Sequence, residues 1–74
     1  MSREVVLDVR GMEAPQPLER ILETIGTFTV GDKLKVLIDC EAKPLYRILD
    51  RNNYGYHVEA GADSIYEITI WPRE

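Results

Sequence analysis

Thiols and imidazoles are nearly missing from this sequence: its 74 residues hold one cysteine, Cys40, and one histidine, His57. A single thiol rules out an internal disulfide, and one thiol with one imidazole does not supply the three or four protein ligands that zinc takes. Also missing are a serine-histidine-acid order, a glycine-rich phosphate loop and a carboxylate pair in a recognisable catalytic frame. No catalytic residue can therefore be named, and neither a metal nor another cofactor is expected. No apolar run approaches the roughly 18 residues of a membrane span, and no charged-then-apolar leader is present. With the unpaired thiol, this predicts a cytoplasmic domain that keeps away from membranes. Basic residues are outnumbered 9 to 13, and the net charge of -4 repels phosphate backbones. Nucleic acid is disfavoured as a partner on that count.

What is present belongs to an ordinary folded chain. An apolar fraction of 45% with 30% charged residues is far from the composition of disorder. A chain this short has room for one core and buries only about 60% of its unfolded surface. It is expected to form a single domain over residues 1–74 with a thin stability margin.

Val5, Leu7 and Val9 alternate with Val6 and Asp8, the period of a strand with one buried face. Leu18, Ile21, Leu22 and Ile25 then fall on one helical stripe, with Pro15 and Pro17 suited to the first turn and Gly26 to a left-handed stop. Val30-Gly31-Asp32 predicts a turn into a second strand carrying Leu34, Val36 and Ile38 inward. Pro44 marks a second helix through Leu45, Ile48 and Leu49, broken at Asn52-Asn53. Tyr54, Tyr56 and Val58, a turn at Gly61-Ala62-Asp63, and Tyr66, Ile68 and Ile70 make a closing hairpin. Parallel crossovers are right-handed in nearly all cases, so both helices cover the same face. The expected fold is an α/β two-layer sandwich of order β-α-β-α-β-β with a mixed four-stranded sheet. Its open face would carry Val6, Asp8, Lys35, Leu37, His57, Glu59, Ile65, Glu67, Thr69 and Trp71.

The stretch from Leu7 to Pro17, LDVRGMEAPQP, resembles the opening of the SirA/TusA-like sulfur-carrier family. There a strand ends in Arg-Gly and leads to Cys-Pro-x-Pro at the first helix. The turn at Gly31-Asp32-Lys33-Leu34 resembles that family's entry into its second strand, and Lys43-Pro44-Leu45-Tyr46 with Tyr54-Gly55-Tyr56 resembles its cysteine-free, uncharacterised bacterial relatives. The resemblance implies the carrier fold. In the carriers the motif cysteine takes up and passes on a persulfide, whereas the matching position here is Ala14. A methyl group can neither attack sulfur nor hold it, so that chemistry does not transfer to this position.

Three candidate surfaces follow. Parallel first and second strands would bring both helix starts to one sheet edge, where Arg10, Gly11, Ala14, Cys40 and Lys43 would gather around a small anion or a partner's carboxylate. The ordinary reading is that Asp8, Glu13, Asp39 and Glu41 satisfy those donors internally. Cys40 offers the alternative function, a sulfur-transfer or redox protein with a relocated acceptor, set against a cysteine that merely packs. Val6, Leu37, Ile65 and Trp71 form an apolar candidate for a partner or weak-dimer surface, against scattered surface hydrophobes. Lys43, Arg47 and Arg51, at four-residue steps, make a basic stripe that would suit RNA, but no exposed aromatics interleave with it. The expectation is a non-catalytic binding or docking domain, monomeric or weakly dimeric, whose partner is a small anion or a redox or sulfur-metabolism protein.

Overall fold

The structure, a computed structural model, describes residues 3–74. Its elements follow the expected order: β1 (Glu4–Asp8), α1 (Gln16–Ile25), β2 (Lys33–Ile38), α2 (Lys43–Arg51), β3 (Tyr54–Ala60) and β4 (Tyr66–Pro72). The sheet runs β1-β2-β4-β3, with β1 parallel to β2 and the remaining pairs antiparallel. A crossover through α1 gives the parallel pair, and the β3–β4 hairpin adds the antiparallel half.

The period-two residues of the strands and the 3.6-period residues of the helices meet in one layer. Ile21, Ile25, Leu45 and Leu49 from the helices pack on Leu34, Val36, Ile68 and Ile70 from the central strands, every one at 3% exposure or less. Each such side chain is worth about 1.5–3 kcal/mol removed from water, which is what holds both helices to the same face of the sheet. Val9 lies one residue beyond β1 but remains in the core, and its N–H continues the ladder by donating to the Leu37 carbonyl at 2.9 Å.

Several local expectations are corrected. Gly26 ends α1 in right-handed geometry (φ -60°, ψ -18°), because the chain leaves through a tightened last turn in which Phe28 N–H donates to the Ile25 carbonyl. The positive-φ glycines are Gly11 (φ 81°) and Gly31 (φ 101°), where the chain turns into α1 and β2. Pro15 stands just before α1 rather than within it, after a cis Ala14–Pro15 peptide, while Pro17 occupies the first turn. The hairpin turn extends past Asp63 as a single 3-10 turn, Ala62–Ser64, closed by Gly61 N–H donating to the Ile65 carbonyl at 2.7 Å. Ile65 therefore belongs to the turn and not to β4.

Asp32, just before β2, is 2% exposed and is the buried charged side chain among the described residues. Its carboxylate accepts from the backbone N–H groups of Thr29 and Arg3, both at 2.9 Å, and from the Arg3 guanidinium at 3.2 Å. These donors, led by the Thr29 N–H, lower its pKa from 3.8 to about 2. Arg3 also stacks over Phe28 at 5.0 Å from the ring centre, so one side chain fastens the start of β1 to the α1–β2 loop.

Candidate functional site

At the other end of β1 and β2 the two helices begin side by side. The chain between β1 and α1 and the chain between β2 and α2 enclose an open groove of about 270 Å³. Its walls are almost all carbon: Ala14, Pro15, Pro17 and Leu18 on one side, Ala42, Pro44 and Leu45 on the other, with Ile38 between them. Cys40 and Glu41 supply its polar edge. The convergence of the two helix starts expected from parallel strands is present, but the lining is apolar.

Two of the donors expected for an anion, the Arg10 guanidinium and the Gly11 N–H, are engaged by carboxylates. Arg10 donates through Nε to Asp8 Oδ1 at 2.9 Å and through its terminal nitrogen to Oδ2 at 2.7 Å. This two-pronged hydrogen bond lowers the Asp8 pKa from 3.8 to about 2 and raises that of Arg10. Gly11 N–H donates to Asp39 Oδ2 at 2.8 Å. Neither helix start has a side-chain cap, so Asp8 and Asp39 act on the preceding loop instead. The second residue of each helix, Pro17 or Pro44, has no N–H to offer.

Ala14 and Cys40, 26 positions apart in sequence, line the same groove, and Cys40 is an exposed free thiol. Lys43 does not join them. It lines a separate depression of about 380 Å³ with Pro44, Arg47, Ile48 and Arg51 along α2.

The apolar residues of the open sheet face are dispersed. Cross-strand rows run Val6, Lys35, Thr69, His57 and Asp8, Leu37, Glu67, Glu59, while Trp71 pairs with Gly55. Leu37 thus lies between two carboxylates, and the row through Thr69 separates its row from Trp71. Lys35 bridges Glu67 at 3.3 Å and Glu4 at 4.0 Å, which breaks the patch further. Val6 is 61% exposed on an edge strand. Trp71 lies flat against Gly55: a Cβ added at Gly55 would stand 2.4 Å from the indole. The indole covers bare backbone, a packing role inside the sheet.

Among the described residues no three His, Cys, Asp or Glu side chains converge as a metal site, and no helix is long and apolar enough to cross a membrane.

A family model described as an uncharacterized conserved protein (DUF2249) matches residues 6–72. The chain belongs to that family. The match spans both loops of the groove, the end of β1 from residue 6 and the other three strands of the sheet. A SirA-like protein from Desulfitobacterium hafniense superimposes with a TM-score of 0.82 at 20% identity, covering 95% of this chain and 99% of that one. This DUF2249 chain therefore has the SirA-like fold. No curated protein matches it.

Tyr46 is the groove's neighbour that the sequence reading passed over. It stacks on Tyr56 with ring centres 5.0 Å apart and planes 9° apart, and its buried hydroxyl has no hydrogen-bond partner among the described residues. Burial first, then the nearby Glu41 carboxylate, pushes its pKa up. Its position in the Lys-Pro-Leu-Tyr stretch was visible, but its facing β3 from the flank of α2 needed the hairpin in place.

Proposed function

We propose that this domain is a non-catalytic docking module, and that the groove between its helix starts seats an apolar element of a protein from sulfur or redox metabolism. The groove's carbon lining at Ala14, Pro17, Leu18 and Leu45 supports this reading above all others. Burying such a surface against a matching side chain is favourable, whereas an anion placed there would lose hydration with Arg10 and Gly11 already committed to Asp8 and Asp39. The partner class comes from the SirA-like fold. In this reading the compartment is a reducing cytoplasm, where an exposed unpaired thiol persists.

The test joins amide-shift titration to affinity capture. Phosphate, sulfate and thiosulfate should leave Gly11 and Ala42 unmoved, and partner capture should be lost in Ala14→Arg but kept in Trp71→Ala. Saturable shifts at Gly11 and Ala42 would return the groove to small anions.

One observation favours a second reading, sulfur transfer through Cys40: its exposed thiol lines the groove that Ala14 also lines. A persulfide donor would then add one sulfur atom to the intact protein, and Cys40→Ser would abolish the gain. An unmodified Cys40 after such treatment ends this alternative.

A further inference from the structure

The two helices present opposite charges to solvent. On α1 the exposed residues Glu19 and Glu23 stand four apart; on α2 the exposed Lys43, Arg47 and Arg51 recur at the same step. None of the five makes an ion pair among the described residues, and neither do Arg20 and Asp50, the opposite charges within each helix. Like charges four apart on a helix repel, and no ion pair among the described residues ties either row to an opposite charge. Between the rows lies a cleft of about 360 Å³, to which α1 contributes Leu22 and Ile25, α2 Ile48 and Leu49, and the chain after them Asn52 and Tyr54, so its lining is apolar side chain mixed with polar edge. Leu22 and Ile48 remain partly exposed there.

We propose that this helix face is a self-association surface on which α1 of one copy lies against α2 of a second. The helices run in the same direction, since their starts share one groove and their later turns share this cleft. A two-fold axis along that direction sets α1 opposite the other copy's α2, joining acidic row to basic row twice. An axis across the helices would instead set α1 against α1 and α2 against α2, like against like. The charge pattern therefore selects the first, an isologous contact. In it the cleft lies on the axis, so Leu22 meets the other copy's Ile48 under a charged rim, the usual anatomy of an interface. The basic row spans about 12 Å and the acidic row about 6 Å at the helical rise, so the shorter fits within the longer. A second copy brings the complement of both rows, whereas a nucleic acid would answer the basic row and be repelled by the acidic one.

Sedimentation velocity tests this with Glu19→Lys/Glu23→Lys and with Lys43→Glu/Arg47→Glu/Arg51→Glu. The unmodified chain should dimerise at low salt. Raising the salt from about 0.01 M to about 1 M shortens the screening length from about 30 Å to about 3 Å and should weaken the dimer about tenfold or more. Each reversed variant should be monomeric, and an equimolar mixture of the two should restore a dimer, because both contacts then join unlike charges. Glu19→Gln/Glu23→Gln, which only removes charge, should weaken the dimer and blunt its salt dependence, and carries the test if a reversed variant misfolds. A chain monomeric at low salt overturns the proposal. So does a mixture that fails to pair, or retention of RNA by the basic row without self-association. A dimer lost in Trp71→Ala but kept in the helix variants would move the contact to the sheet and equally overturn it.

Discussion

Gly55 and Trp71 face each other across the β3–β4 pair, and their coupling can be predicted with a sign. An added Cβ at Gly55 would lie 2.4 Å from two indole atoms and 2.7 Å from a third, against an ordinary contact of 3.4–4 Å. The indole is rigid, so in Gly55→Ala the whole ring must lift by about 1 Å; overpacking of this kind costs about 1–3 kcal/mol. Restricting the unfolded chain by replacing glycine returns about 0.4–1 kcal/mol. The net loss should be about 1–2 kcal/mol, or roughly 4–16 °C in Tm for a domain of this size. In a Trp71→Ala background the obstacle is gone and only the gain remains, so Gly55→Ala should then stabilise by about 0.5 kcal/mol. Urea denaturation of the four proteins closes the cycle, with equal m-values required for the comparison. Additive effects would refute the reasoning and leave Trp71 free to serve as a contact for partners.

Three further outcomes follow from the same packing. Leu49→Ala, at a fully buried position, should cost about 2–5 kcal/mol out of a total of about 4–11 kcal/mol for 74 residues, read as a large fall in the urea midpoint. Asp32 has its pKa lowered to about 2 from 3.8, so its contribution is complete above the unfolded value and is lost as pH falls through about 2. Stability measured between pH 4 and 2 should decline less steeply in Asp32→Asn than in the unmodified chain; Asp8, lowered to the same value, is the parallel case through Asp8→Asn. An unchanged acid limb in both would discard the assignment. Cys40 is exposed, so a disulfide reagent should titrate one thiol per chain without denaturant, and a thiol that reacts only in urea would contradict its placement.

The layers were legible because their causes are local. Alternation at Leu34, Val36 and Ile38 and the stripes through Ile21–Ile25 and Leu45–Leu49 each name one buried side, and a single core leaves few ways to join them. Gly26 was misjudged because its sequence position fits a left-handed cap, whereas Phe28 is drawn back onto the core and keeps the last turn right-handed. Ile65 was placed by extending the period of β4 backwards into residues that the Gly61–Ile65 hydrogen bond turns into a loop. That Asp8 and Asp39 take up donors at this edge is the ordinary reading of the sequence; which donor each takes, Arg10 across 2 positions and Gly11 across 28, depends on loop geometry that the sequence pattern does not encode.

Ala14 is one of several small and apolar residues that give the edge at the two helix starts its carbon lining. Ala14, Pro17, Ala42 and Pro44 line the groove at the two helix starts, while Asp8 and Asp39 take up the donors of Arg10 and Gly11. Charge stands outward on α1 and α2, in rows that make no ion pair among the described residues. The groove and the charged helix face are built from different residues, so docking at the one and self-association at the other can each be tested while the other is intact.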